Sequence, residues 1–139
     1  MKIAFACDHG GVELKQILIE FASGKGYECV DLGSNDKDVS TDYPVYGYKA
    51  AKSVQDGTCD LGVIICGTGV GISLAANKMK GIRAAVCSEP FTAKLSREHN
   101  NSNMLALGAR VLGIELAKLL VDTFLSAPFI GTFLIGSVK

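Results

Sequence analysis

One cysteine is delivered straight into a run of glycines in Leu61-Gly-Val-Ile-Ile-Cys-Gly-Thr-Gly-Val-Gly-Ile72. The apolar stretch before Cys66 has the composition of a buried strand, and residues 70–79 read as a helix. Thiolate is the basic and nucleophilic form of cysteine, and a helix N-terminus favours it by offering unpaired N–H groups and positive dipole. The glycines let several backbone N–H groups converge on one spot, which suits an anion or a developing oxyanion. A base beside an anion cradle is the skeleton of an active site. The same residues also fit a plain strand-to-helix turn, because free cysteine often packs as a small hydrophobe.

Two further clusters carry polar chemistry. Asp8-His9 precedes Gly10-Gly11, and Arg97-Glu-His-Asn-Asn-Ser-Asn103 joins a helix to a strand. His99 can move a proton near neutral pH, and the asparagines can hold sugar hydroxyls with both a donor and an acceptor. Each cluster has a structural reading as well, a helix N-cap for Asp8 and a polar helix end for His99.

The glycine loop differs from its better-known counterparts. It lacks the Gly-Lys-Ser/Thr of a P-loop, which argues against nucleoside triphosphate hydrolysis. Ile72 stands where a dinucleotide fingerprint needs its third small residue, so NAD binding, with Glu89 as the ribose acid, is the weaker alternative. Ile72 also occupies the place of the arginine that a cysteine phosphatase needs. The loop fits a transient, singly charged oxyanion better than a phosphate dianion. A metal site from Cys7, His9 and Cys66 is opposed by strand geometry, since adjacent residues Cys7 and Asp8 face opposite ways.

The elements that must position these groups follow from periodicity and turn signals. Strands are expected at residues 2–7, 27–31, 59–66, 81–87 and 103–107, and helices at 12–23, 43–54, 70–79, 90–98 and 112–126. Pro44 falls in the first turn of its helix, where a missing N–H costs nothing. In the last helix, Leu116, Leu119, Leu120 and Phe124 are expected on one apolar face. Regular alternation predicts an α/β fold, a three-layer αβα Rossmann-like sandwich on a five-stranded parallel sheet of order 2-1-3-4-5. Residues 1–139 are expected to form one domain. Ligands of such sheets sit beyond the strand carboxyl ends at the switch point, here between the first and third strands. Asp8-His9 leaves the first strand and Cys66 ends the third, so the two clusters converge on one crevice.

Composition narrows the function class. Fourteen basic residues balance 14 acidic ones, so no global field recruits nucleic acid or a membrane surface. No apolar run approaches the ~20 residues of a membrane span, and Met1-Lys-Ile-Ala-Phe begins a strand directly, so no signal peptide is expected. Five cysteines (Cys7, Cys29, Cys59, Cys66, Cys87) without C-x-x-C spacing predict reduced thiols in a cytoplasm and no zinc knuckle.

Six motifs in order, Cys7-Asp-His-Gly-Gly11, Thr41-Asp-Tyr-Pro44, Ile65-Cys-Gly-Thr-Gly-Val-Gly-Ile-Ser73, Ala75-Ala-Asn-Lys78, Gly81-Ile-Arg-Ala84 and Ser96-Arg-Glu-His-Asn100, resemble the type B ribose-5-phosphate isomerases. That family also includes galactose-6-phosphate and allose-6-phosphate isomerases, and the likeness runs from residue 1 to about residue 129. The resemblance implies aldose–ketose isomerisation of a small sugar phosphate, chiefly ribose 5-phosphate and ribulose 5-phosphate, without metal or cofactor. It implies that Cys66 moves a proton between C1 and C2 through a cis-enediolate, with Thr68 hydrogen-bonded to the thiol. The amides of Gly67, Thr68, Gly69, Val70 and Gly71 would stabilise the enediolate oxygen. His99 would open the furanose ring, Asn100 would hold that sugar end, Asp8 would bind the hydroxyls near C1 and C2, and Tyr43 would line the pocket. His9 and Arg110 match residues on the phosphate side. The resemblance further implies a homodimer or tetramer whose site is shared, with His99, Asn100 and Arg110 crossing the interface.

One departure stands out. After Ser126-Ala-Pro-Phe129 the family usually continues with Gly-Gly-Arg-His and a second arginine that clamp phosphate, whereas here Ile130-Gly-Thr-Phe-Leu-Ile-Gly-Ser-Val-Lys139 follows. Two charge-assisted contacts of roughly 1.5–3 kcal/mol each are therefore expected to be missing. The alternatives this raises are preference for a six-carbon sugar phosphate, and a weakly active sugar-phosphate-binding subunit.

Overall fold

The structure, a computed structural model, describes residues 1–40 and 42–131. Strands and helices alternate as β1 (Lys2–Cys7), α1 (Val12–Gly24), β2 (Glu28–Asp31), α2 (Tyr43–Gln55), β3 (Leu61–Cys66), α3 (Val70–Asn77), β4 (Ala84–Val86), α4 (Pro90–Glu98), β5 (Met104–Gly108) and α5 (Ile114–Ser126). Every strand pairing is parallel, as the alternation requires. Among the described residues no helix is long and apolar enough to cross a membrane.

β3 and β5 are buried along their whole length, and β1 at all but its first residue, so both faces of the sheet must be covered. Alternation divides their side chains between two apolar layers. Ile3, Phe5, Cys7, Val63, Ile65, Leu105 and Leu107 pack against Leu18 of α1, Ala93 of α4 and Leu120 and Phe124 of α5. Ala4, Ala6, Ile64, Cys66, Met104 and Ala106 pack against Ala50 and Ala51 of α2 and Ile72 and Ala76 of α3. The thiol of Cys66 therefore belongs to the α2–α3 layer and that of Cys7 to the other, which separates them across the sheet.

The expected strand order is corrected at one end. The sheet runs β2-β1-β3-β5-β4, with the last two strands exchanged relative to 2-1-3-4-5. Burial explains the exchange. The five residues of β5 are wholly buried, which suits an interior position, whereas the three residues of β4 are only partly covered and Val86 is exposed. The switch between β1 and β3 is unaffected. In α5 the apolar face is Ala117, Leu120, Val121, Phe124 and Leu125, and Leu119 points outward with 48% of its surface exposed.

Candidate active site

Cys66 closes β3 and is 5% exposed. Its Sγ accepts the Gly69 N–H at 3.2 Å, the kind of donor a thiolate binds. Gly69 adopts φ +83°, and a Cβ there would stand 2.9 Å from the carbonyl carbon of Leu107. Only glycine turns the chain back tightly enough to aim that amide at the sulfur. α3 starts directly afterwards, so its first-turn N–H groups, which have no partner inside the helix, lie beside the same end of β3. The Thr68 hydroxyl oxygen accepts the Val70 N–H at 3.3 Å. The thiol's hydrogen-bond donor is thus the Gly69 amide, while Thr68, expected in that role, supports the start of α3.

β1 brings Asp8 to the same end of the sheet, where its N–H donates to the Ile65 carbonyl at 3.2 Å. The Asp8 carboxylate accepts the Gly10 N–H at 3.0 Å and so caps the single turn at His9–Gly11. A Cβ on Gly11 would come within 2.8 Å of the Ile65 side chain, so this glycine lets the turn press onto β3. Half-buried His9 rides on that turn. Gly67 and Gly71 are half-buried, and the Thr68 and Val70 side chains are exposed.

Arg110 follows β5. Its N–H donates to the Gly67 carbonyl at 3.0 Å, after the Ala109 N–H has donated to that of Cys66 at 2.9 Å. A Cβ on Gly67 would lie 3.6 Å from Arg110 Cδ. Arg110 therefore stands along the Cys66 loop of its own chain, because β5 ends beside β3; the expectation that it arrives from another copy is corrected to that extent. Tyr43 begins α2, and its side chain lies outside the described residues, as do Thr41 and residues 132–139.

His99 and Asn100 stand elsewhere. α4 runs opposite to the strands, so its C-cap, His99, and the following Asn100 sit where β5 begins rather than where β3 ends. β5 spans five residues, and at about 3.3 Å per residue the two ends of the sheet are roughly 15 Å or more apart. The sheet's starting end holds a recess of about 540 Å³ whose lining includes Arg83, Arg97, Asn101 and Asn103.

Three further thiols are held protonated by their surroundings. Burial pushes Cys7 up to about 11, against the pull of Lys15, and burial together with Glu89 pushes Cys87 up to about 11. Burial also raises Cys29. These three remain protonated packing groups. Glu89 accepts the Thr92 N–H at 3.0 Å as the N-cap of α4, which commits the carboxylate that a ribose would need. Among the described residues no group of three or more His, Cys, Asp and Glu side chains is placed to hold a metal ion.

Lys15 is a group that periodicity passes over. It is fully buried on α1 and donates to Asp31 Oδ1 at 2.6 Å, the Ser34 carbonyl at 2.6 Å and Asn35 Oδ1 at 2.7 Å. Ser34 in turn gives its N–H to the Cys7 carbonyl at 2.8 Å. Lys15 thereby clamps the loop after β2 along the end of β1, next to Asp8. The signal was its spacing, three residues after Val12 and three before Leu18 on the buried stripe.

Comparison with known proteins places this geometry in context. A family model described as Ribose/Galactose Isomerase matches residues 3–133. Over 130 residues the chain is 52% identical to ribose-5-phosphate isomerase B of Escherichia coli (strain K12), covering 94% of this chain and 87% of that protein. It superposes on ribose-5-phosphate isomerase B of Clostridium thermocellum with a TM-score of 0.94 at 50% identity, covering 99% of this chain and 95% of that one. For ribose-5-phosphate isomerase B of Mycoplasma genitalium with bound ribulose-5-phosphate, the TM-score is 0.92 at 40% identity, with 99% and 91% covered.

Proposed function

The chain belongs to the ribose/galactose isomerase family, and from that premise we propose that it interconverts ribose 5-phosphate and ribulose 5-phosphate. The observation that carries the assignment is the Gly69 N–H aimed at Cys66 Sγ at 3.2 Å, beside Asp8 at the β1–β3 switch. His99 gives a proton to the furanose ring oxygen as its bond to C1 breaks, the anomeric hydroxyl gives its proton to solvent water, which restores the proton on His99, and the open-chain aldehyde is released while Asn100 holds that end of the sugar. Asp8 binds the hydroxyls near C1 and C2, and Tyr43 walls the pocket. The Cys66 thiolate takes the proton from C2, and the electron pair moves onto the C1 carbonyl oxygen as a cis-enediolate. The N–H groups of Gly67 to Gly71 receive that charge. Sulfur then returns the proton to C1, the hydroxyl proton passes from O2 to O1, and the ketone stands at C2. Hydrogens and electrons balance without a redox partner. His9 and Arg110 face the phosphate side.

His99 and Asn100 lie at the far end of the sheet from Cys66, so a site containing all three needs a second copy of the chain. We therefore assign a homodimer, or a tetramer of two such dimers, with the site shared between subunits. The five free cysteines accord with a cytoplasmic enzyme.

The test is ribulose 5-phosphate formation from ribose 5-phosphate by the purified, chelator-treated chain. Cys66→Ala should lose activity by about 10²–10⁴-fold, the usual size of an acid–base contribution. Full activity in that variant overturns the role of Cys66. Higher catalytic efficiency on galactose 6-phosphate would move the substrate to six carbons, and calorimetric binding without turnover would make the chain a binding subunit.

A further inference from the structure

The turn carrying His99 and Asn100 is gripped by two arginines that the chemistry above does not use. Arg83, just before β4, donates from Nε to the Asn101 carbonyl at 2.7 Å. Arg97, in the last turn of α4, donates from Nη1 to the Ser102 carbonyl at 2.5 Å and from Nε to the Ala127 carbonyl at 3.3 Å. Two consecutive carbonyls, immediately after Asn100, are thus held from two sides. The main chain of Arg83 adds to the grip, giving its N–H to Asn103 Oδ1 at 2.8 Å and accepting the Asn103 N–H at 3.0 Å. Asn101 itself sits at φ +52°, a left-handed conformation that persists when its surroundings enforce it.

A helix end needs only a cap and a turn residue. Spending two guanidinium groups, which repel one another across a shared recess, specifies the geometry of the turn and not merely its presence. We propose that Arg83, together with Arg97, is a positioning residue for ring opening, holding the turn so that the His99 imidazole meets the ring oxygen of the furanose bound by a second copy. This rests on the reading of His99 as the ring-opening acid.

The test separates ring opening from proton transfer by choice of sugar. D-Erythrose 4-phosphate cannot close a furanose because its O4 is esterified, so it needs no ring-opening acid. Arg83 is exposed, and Arg83→Met keeps its stem while removing the Nε donation to the Asn101 carbonyl and the Nη1 donation to the Gly81 carbonyl at 3.3 Å. In the full-length protein, Arg83→Met should lower kcat/KM for ribose 5-phosphate about tenfold while changing that for the four-carbon sugar less than about twofold, with Arg83→Lys recovering part of the loss. His99→Gln, assayed in parallel, should show the same selectivity. If His99→Gln is selective and Arg83→Met lowers both sugars equally, or neither, positioning is overturned and the role of His99 stands. If His99→Gln spares neither sugar, the ring-opening reading fails and this inference fails with it. Where turnover of the four-carbon sugar is too slow to measure, inhibition by acyclic ribitol 5-phosphate takes its place. An unchanged inhibition constant in Arg83→Met supports positioning, and one weakened in step with kcat/KM overturns it.

Discussion

Two cysteines end neighbouring strands, yet their surroundings divide them. Cys7 faces the α1–α5 layer and is held as a thiol by burial, while Cys66 faces α2 and α3 and receives the Gly69 N–H. The residue that makes this difference is Gly69. Gly69→Ala forces a side chain into φ +83° and against Leu107, so it should destabilise the fold by about 1–3 kcal/mol and turn the amide off the sulfur. The accompanying fall in kcat should approach 10²-fold, the size of losing one oxyanion donor. Gly57→Ala is the control, because φ there is +82° with open space around it; it should lower the melting temperature and leave kcat alone. Thr68 separates the expected thiol partner from the one found. Thr68→Val removes the acceptor for Val70 N–H at a cost of about 1 kcal/mol but leaves the sulfur's donor in place. Its kcat should therefore fall far less than that of Gly69→Ala, and steady-state kinetics with thermal melts on all three variants decide the matter.

Between strands and helices, the Lys15–Asp31 clamp sets how the loop after β2 lies against β1. Burial works to raise the Asp31 pKa, but hydrogen bonds from Lys15, the Gly33 N–H and Gln16 outweigh it and hold the carboxyl below its ordinary 3.8. A carboxyl that titrates lower when folded stabilises the fold above its unfolded pKa, and that contribution disappears as pH falls through the folded value. Melting temperature should therefore drop as the solution is acidified below about pH 4. Asp31→Asn should lower it at pH 7 by the equivalent of roughly 1–3 kcal/mol, less than for a fully buried pair because Asp31 keeps 30% of its side chain exposed. That variant should also show a shallower acid slope, checked by circular dichroism melts from pH 7 to pH 2.5. The clamp also shows what sequence patterning reads and misses. The extents of α4 and of β1 follow directly from Pro90, Glu98 and the run before Asp8-His9, because caps and breakers are local signals. Lys15 lies on the buried stripe by its spacing, yet it escaped because a lysine stays buried only with partners to hold its charge, and these lie 16 to 20 residues away. The exchange of β4 and β5 escaped for a related reason. Lateral order depends on which strand can be buried on both faces, a comparison between segments that no single run contains. That Cys66 and Asp8 share one end of the sheet was legible because both clusters sit at strand ends flanking the switch; the identity of the sulfur's donor was not, because it is a backbone group.

At the level of the whole molecule, the groups assigned to one reaction occupy two ends of the sheet. Cys66, Asp8 and Arg110 gather where β1, β3 and β5 finish, and His99 and Asn100 where β5 starts, with α4 spanning the distance. No rotamer change carries an imidazole from one end of the sheet to the other. In the dimer proposed above, an isologous pairing would bring the start end of one copy to the finish end of its partner, and would do so twice. That geometry makes a quantitative demand on mixtures. Cys66→Ala and His99→Gln homodimers should each be weak, because each of their sites lacks one group. When the two variants are denatured together and refolded, about half of the dimers are mixed by random pairing, and each mixed dimer holds one site with both groups intact and one with neither. Activity should therefore return to about one quarter of the wild-type value for the same total chain, well above the average of the two variants measured separately. Were Cys66 and His99 to serve the same site within one chain, a mixed dimer would contain no intact site, and refolding the variants together would restore nothing.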